Sequence, residues 1–539
     1  MIRGTTHNDP TWLRFLLVTV VFGIAYSQFS LFWVSQNEYF FYGLARAGYG
    51  FIRDDWLFQS SDSWPLFSLL VQVTYRYLDL RLVYVYYILV LGIYAYALLG
   101  IASTLFGVDR TRPRYLVALA LLTALHTPVV AFIFRKLLGF PLTRELISGV
   151  ASQRILWEMF QPGAFGALML LSIHFFLQGR WIVAAVLPPL AAAFNPTYTL
   201  TAGVLTLSYI VIVLRDGGGM WKAVRVGLVS FVCVVPVLIY GYLAFRPTDP
   251  ALWTQARDVL VNYRLARHAV PSTWLGFAAY LKLAVVLAGL YALRRTRLFW
   301  VLGIGLAVAA GGAMLQMLTK NTALALLYPW RMSVLLVPLA SSLLLLRAGE
   351  ALVEVLERRA ASRVPVVTAL SAALSIVLVI AGIGTTVLRF RQRIDGEETP
   401  GMLRYVEAHR AAGQTYLVPI VWRNFRLFGG VPVFVDYRFV PYNDAAVLEW
   451  HKRVNLANEF YGASPDVRCE KGRQLASTYG ITHVVMALPI PPGTRRPSRA
   501  ADPEALPENL GTPAYSMDPC PQWKLLYEDR RSALYSIAP

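Results

Sequence analysis

Charge is scarce in this chain. Only 15% of the 539 residues are charged while 56% are hydrophobic, and mean hydropathy is +0.50. Soluble globular domains carry about 25% charged residues, so that class is excluded. Cysteine is also scarce, with three in all. Three are too few for a disulfide scaffold or a zinc site. Cys233 falls in an apolar run and reads as packing, whereas Cys469 and Cys520 lie in the less apolar tail, where a disulfide is permitted in an oxidising compartment. No P-loop, dinucleotide glycine pattern or HExxH motif occurs, and no repeat of 20 to 50 residues points to a solenoid.

Acidic residues are the scarcer sign: 31 Asp and Glu face 50 Lys and Arg, for a net charge of +19. From residue 390 onward the chain holds 18 basic and 16 acidic residues; before it, 32 and 15. The excess therefore lies among the apolar runs. That placement argues against nucleic acid and for membrane lipids or a phosphorylated lipid substrate.

What is abundant is long apolar sequence. A helix needs about 20 apolar residues to cross some 30 Å of hydrocarbon. Runs of this kind predict about eleven spans, near 13–34, 83–106, 115–134, 162–178, 181–195, 198–214, 224–245, 274–293, 298–318, 326–346 and 366–388. No cleavable signal peptide is evident at the first of them. Alternate short loops are basic, carrying Arg110, Arg112 and Arg114, then Arg180, then Arg215, Lys222 and Arg225, then Arg294, Arg295 and Arg297, then Arg347, Arg358, Arg359 and Arg363. Cationic short loops stay inside during insertion, which puts the N-terminus in the cytoplasm and everything after 390 outside. The expected fold is an all-α polytopic membrane domain over 1–389 followed by an extracytoplasmic α/β domain over 390–539. In that tail TYLVPIVW, VPVFVDYRFV and ITHVVMALPI read as strands, PGMLRYVEAHRAAG and NDAAVLEWHKRVNLANEFY as helices, and the Pro-rich 489–513 as a surface loop.

The first outer loop, 35–82, is long and rich in aromatic, amide and carboxylate groups, and its 65–80 stretch reads as an amphipathic interfacial helix. It carries the adjacent acids Asp54 and Asp55 in RDDWLFQ. An acidic pair there serves either as a solvated loop or helix N-cap, or as a general base for an acceptor hydroxyl.

An acidic pair in a long first outer loop, a cytoplasmic N-terminus, many apolar spans and an outer C-terminal domain together resemble the GT-C glycosyltransferases. WEMFQPGAFGALMLL at 157–171, AAAFNPTYTL at 191–200, LYPWRMSVLLVPLA at 327–340 and the stretch 424–453 look like a bacterial branch of that superfamily. The resemblance spans nearly the whole chain. It implies transfer of a monosaccharide from a polyprenyl-phosphate donor to an extracytoplasmic glycan, lipid or protein acceptor, in a bacterial inner membrane. It also implies that Asp55 or Asp54 is the base, Asp55 slightly preferred, or that the pair ligates a divalent metal such as Mg or Mn. The WWD signature of oligosaccharyltransferase catalytic subunits is absent, so transfer of a preassembled glycan is not expected.

A lipid-phosphate leaving group calls for outer cations. Candidates are Arg331, Lys320 and the group Arg264, Arg267 and His268, whose i, i+3, i+4 spacing would share one helical face. The same group could instead snorkel onto lipid phosphates. Glu38, Tyr39, Tyr42, Trp56 and Glu158 are candidate acceptor or sugar contacts, Glu158 having a structural ion pair as its alternative. Arg423, Arg426, Asp436 and Arg438 read as a salt-bridged edge in the tail, and His126 and His174 as packing histidines. The rival class is a transporter or flippase of a phosphorylated lipid or glycan, which calls for inverted repeats and polar groups deep in the spans.

Overall fold

The computed structural model describes residues 11–396, 400–488 and 520–537. The Pro-rich 489–513 lies outside them. The chain divides into two compact units. The first takes residues up to Phe29, Arg81–Tyr240 and Ala266–Arg389; the second takes Ser30–Leu80, Gly241–Leu265 and the chain from Phe390 onward. By its contacts the first outer loop thus belongs with the tail, a grouping that a division at residue 390 does not convey.

The protein is predominantly helical and polytopic. Among the described residues six helices are long and apolar enough to cross a bilayer: Leu82–Phe106, Pro196–Arg215, Met220–Ala244, Leu298–Thr319, Thr322–Arg359 and Ala361–Arg391. A seventh candidate is the pair Arg112–His126 and Pro128–Leu138, bent by 64°. Pro128 begins the second helix of that pair, because its ring blocks continuation of the first. Four shorter apolar helices, Thr11–Ala25, Pro162–Leu177, Trp181–Phe194 and Phe277–Ala292, occupy the other expected positions.

The first expected span ends early. The helix closes at Ala25, nine residues before the expected end at 34. Ser27 then takes a positive φ, and the Gln28 amide donates to the Tyr84 carbonyl at 3.2 Å. Polar side chains at 27, 28 and 30 are the local reason that the helix stops.

Close approach of backbones holds the first unit together, as is common where no hydrophobic contrast with lipid exists. A Cβ at Gly92 would run into Thr19, and one at Gly289 would meet Ala340 at 2.8 Å. The buried histidines are packing residues: His126 Nε2 lies 3.0 Å from the Tyr94 hydroxyl and His174 Nε2 lies 3.1 Å from the Gln178 amide. The Met220–Ala244 helix is largely uncovered by protein, with 11% of its most apolar window buried, as suits a lipid-facing helix.

The second unit contains a four-stranded sheet of β1 (Tyr416–Leu417), β2 (His483–Ala487), β3 (Lys524–Glu528) and β4 (Ser532–Ser536) in the order β1-β2-β4-β3. β1 and β2 are parallel, and the other two pairings are antiparallel. The expected strand at 431–440 does not form; only an isolated bridge joins Tyr416 to Val433. Asp436 Oδ1 instead accepts from the backbone of Arg438 and Phe439, a local turn that competes with a ladder. Helices Pro400–His409 and Asp444–Gly462 lie where expected, and Pro465–Tyr479 adds a third. Met402, Val406, Tyr416, Val431, Val485 and Leu534 form the core. Cys469 and Cys520 form a disulfide with Cα atoms 5.5 Å apart. The Pro65–Tyr77 helix is amphipathic as expected, burying Phe67, Ser68, Val71 and Thr74 while Leu69, Val73 and Tyr77 stay exposed.

Candidate functional site

In the second unit the two adjacent acids have opposite environments. Asp55 caps the 3-10 turn Trp56–Gln59, its Oδ1 accepting from Leu57 N at 3.0 Å. Its Oδ2 accepts from Arg426 Nε at 2.7 Å and from Val433 N at 2.9 Å. Arg426 also bonds Asp436, so one buried guanidinium joins two buried carboxylates. Burial opposes that charge, but Asp55 and Asp436 outweigh it and hold Arg426 above its ordinary pKa. Asp54 ends the preceding turn Ile52–Asp54, is exposed, and has no side-chain partner among the described residues. Both oxygens of Asp55 are engaged in hydrogen bonds, whereas the Asp54 carboxylate is exposed.

The loop is seated by glycines in the same unit. Phe51 N donates to the Gly430 carbonyl at 2.8 Å, and a Cβ at Gly50, whose φ is +54°, would collide with that carbonyl. Trp56 lies under the Arg453 guanidinium at 4.3 Å, and its Nε1 is buried without a hydrogen-bond partner. Tyr39 packs edge-on against Trp64 at 4.6 Å. Tyr42 is buried, its hydroxyl donating to the Leu57 carbonyl at 3.2 Å and lying 2.6 Å from Ser60 Oγ. Tyr42 thus supports the acidic loop through Leu57 and Ser60. Glu38 is buried in the short helix Gln36–Tyr39. Asp62, which the sequence reading passed over, is buried and pairs with Arg46 at 2.9 Å.

In the first unit a largely buried irregular segment, 147–161, carries Glu158. Non-helical backbone within such a unit is tolerated where protein covers it or where it lines a site. Ala151 and Ser152 both take positive φ, a strained conformation that tends to cluster at functional sites. Surrounding residues anchor the segment: His268 Nδ1 lies 2.7 Å from the Ala151 carbonyl, Ser333 Oγ accepts from Val150 N at 2.9 Å, and Phe29 N donates to the Glu158 carbonyl at 2.7 Å.

Guanidiniums gather around this segment. Glu158 is 3.9 Å from Arg144 and 3.7 Å from Arg389, both looser than a hydrogen bond. Burial would raise the Glu158 pKa, yet Arg144, Arg389 and Arg154 together hold it below the ordinary carboxylate value. Arg389 donates to Ser27 Oγ at 2.8 Å and covers the Phe29 ring at 4.0 Å. Arg154 stacks on Trp157 at 3.8 Å. Arg331 sits 5.2 Å from the centre of the Tyr198 ring, whose hydroxyl donates to the Gly163 carbonyl at 2.7 Å just beyond the segment. The Nε atoms of Arg144, Arg154 and Arg331 are buried with no hydrogen-bond partner among the described residues. Glu158 thus lies in the field of three arginines, Arg144, Arg389 and Arg154, and Glu145 is also near Arg154. Buried N–H groups without partners carry a desolvation cost that an anion would relieve.

The remaining candidates separate. Arg264 ends the π-helical turn Val259–Arg264 and donates to the Arg438 carbonyl at 2.5 Å, within the second unit. Arg267 and His268 belong to the short helix Ala266–Ala269 of the first unit. The expected common face is broken at Leu265, whose N–H bonds the Leu260 carbonyl instead of continuing an α-helix. Lys320 is exposed at the C-cap of Leu298–Thr319 with φ +51°. Trp330 Nε1 donates to the His268 carbonyl at 2.8 Å, which brings the neighbour of Arg331 against His268. Among the described residues no group of three or more His, Cys, Asp or Glu is placed to hold a metal.

Arg144 and Arg154 lie in the segment between the expected spans 115–134 and 162–178, but their proximity to Arg389 joins positions more than two hundred residues apart. The one sequence hint for Arg389 is its place at the outer end of the last expected span.

Residues 397–457 match a family described as a domain of unknown function, DUF6798. That stretch contains Arg426, Asp436 and Arg453. No curated protein matches the sequence. Among solved structures, ArnT from Cupriavidus metallidurans in the apo state is similar at 12% identity and a TM-score of 0.43, covering 97% of each chain. ArnT from the same organism bound to undecaprenyl phosphate is similar at 13% identity, TM-score 0.43 and the same coverage.

Proposed function

We propose that this chain is a membrane glycosyltransferase of GT-C type that takes a monosaccharide from a polyprenyl-phosphate donor. The observation that supports this most directly is the cationic character of this part of the first unit, where the Nε atoms of Arg144, Arg154 and Arg331 are buried without hydrogen-bond partners among the described residues and Arg144, Arg154 and Arg389 act together on Glu158. A phosphate ester in the membrane carries the charge and the acceptor oxygens that those donors lack. Arg331 comes from the sequence candidates; Arg144, Arg154 and Arg389 join it, and Arg264 and Lys320 leave the set.

In the reaction an acceptor hydroxyl oxygen attacks the anomeric carbon, the bond from that carbon to the phosphate oxygen breaks, and the polyprenyl phosphate departs with the electron pair. The arginines stabilise the charge that develops on the departing phosphate. The acceptor proton passes to a carboxylate; within the second unit we propose Asp54 for this role on its own surroundings, since it is exposed and has no side-chain partner among the described residues. Asp55 acts through its bond to Arg426, holding the Ile52–Asp54 turn in position. Glu158 balances part of the cationic charge.

The test supplies reconstituted protein with polyprenyl-phosphate sugars and follows release of polyprenyl phosphate. Asp54→Asn is expected to lower turnover by roughly 100-fold or more while the protein stays folded. Unchanged turnover in folded Asp54→Asn removes that residue as base. No release by the wild-type chain from any polyprenyl-phosphate sugar overturns the donor class.

A further inference from the structure

The first unit holds a cavity of about 520 Å³ that shares no lining residue with the Glu158 segment. It lies at one end of three helices, Leu82–Phe106, Arg112–His126 and Thr322–Arg359, and its volume suits a small ligand or headgroup. Leu105 and Phe106 supply an apolar shoulder, and the rest of the lining is charged: Arg110, Arg114, Arg347 and Arg358 with Glu350, Glu354 and Glu357.

The ion pairs in this lining do not cancel. Arg114 bonds Glu350 at 2.9 Å and Glu357 at 2.5 Å, Arg347 bonds the other oxygen of Glu350, and Arg358 bonds Glu354 at 2.5 Å. Three carboxylates are thereby matched by three guanidiniums. Arg110 has no side-chain partner among the described residues, and its side chain folds back over Gly107, where φ is +72° and a Cβ would strike it. Arg347 and Arg358 are 51% and 75% exposed and each spends one nitrogen on its carboxylate, which leaves further donors facing outward.

We infer that this cavity binds the phosphodiester headgroup of an anionic phospholipid. The lining has one positive charge in surplus, which matches the single charge of a phosphodiester. Basic pockets at the ends of membrane helices are suited to anionic headgroups, and the loop bearing Arg110 is among those the sequence assigns to the cytoplasmic side. Free phosphate offers the same oxygens without acyl chains, so the experiment separates the two sources.

The full chain is placed in nanodiscs containing phosphatidylglycerol or only phosphatidylcholine, extracted gently, and examined by native mass spectrometry for retained lipid. Wild type is expected to retain phosphatidylglycerol in preference to phosphatidylcholine. Arg110→Gln is expected to lower retention about fivefold, the effect of one basic group near an anionic surface. Glu354→Gln, which raises the surplus to two charges, is expected to increase it. Neither side chain is buried, and the thermal midpoint of each variant confirms folding. Equal retention of both lipids, equal retention by Arg110→Gln, or loss of phosphatidylglycerol to millimolar inorganic phosphate overturns the inference.

Discussion

Asp55 and Asp54 differ by one position and by nearly everything else that matters to chemistry. The contrast was invisible in RDDWLFQ, because the group that captures Asp55 is Arg426, 371 residues further along. Asp54 owes its availability to that capture. Arg426→Met would leave Asp55 and Asp436 buried without a countercharge and should cost about 3–5 kcal/mol of stability, measured by denaturant unfolding in detergent. Arg426→Lys should recover only part of this, since an ammonium cannot fork between two carboxylates. A second residue-scale prediction concerns pH. Burial holds the His483 imidazole down at about 4, against 6.5 for an unperturbed group. Between those values the unfolded chain binds a proton that the folded form refuses. Stability should be unaffected by this group above pH 6.5, fall as pH drops from 6.5 to 4, and level off below. His483→Gln should flatten that slope in the thermal midpoint, and an unchanged slope would show that other groups set it.

At the scale of elements the apolar runs were readable, because a membrane helix announces itself by composition over about 20 residues. A helix stands at each expected position, including the paired segments 162–178 and 181–195. Where sequence reading failed, a local polar contact had won. The first helix stops at Ala25 ahead of Ser27 and Gln28, and the expected strand at 431–440 gives way to the Asp436 turn. Hydrophobic runs do not report such contacts. The acidic loop offers the clearest test at this scale. Gly50 has φ +54° and lies against the Gly430 carbonyl, so Gly50→Ala combines backbone strain with a collision. It should cost about 1–3 kcal/mol locally. Limited trypsin digestion should then cut faster at the exposed Arg53, and an unaltered cleavage rate would mean that the loop is held by other contacts.

For the whole molecule, composition alone identified a polytopic membrane protein, and the surplus of basic residues before 390 pointed to lipid and phosphate. Which cations lie near one another was not legible, since Arg144, Arg154 and Arg389, which act on Glu158, are brought together from positions far apart in sequence. Of the expected set, His268 anchors the 147–161 segment through Ala151 and accepts from Trp330 beside Arg331. Arg264 instead ends a π-helical turn and bonds the Arg438 carbonyl in the second unit.

The central claim is that the 147–161 segment and Arg331 form a phosphate site for a polyprenyl donor. The most direct measurement is the affinity of reconstituted protein for undecaprenyl phosphate in wild type, Arg154→Gln and Arg331→Gln. Neither arginine has a hydrogen-bonded carboxylate to abandon, so the variants should fold. Each lost charge-assisted hydrogen bond is worth about 1.5–3 kcal/mol, and affinity should fall by roughly 10-fold to 100-fold in each variant. Wild-type affinity in both folded variants would contradict the account.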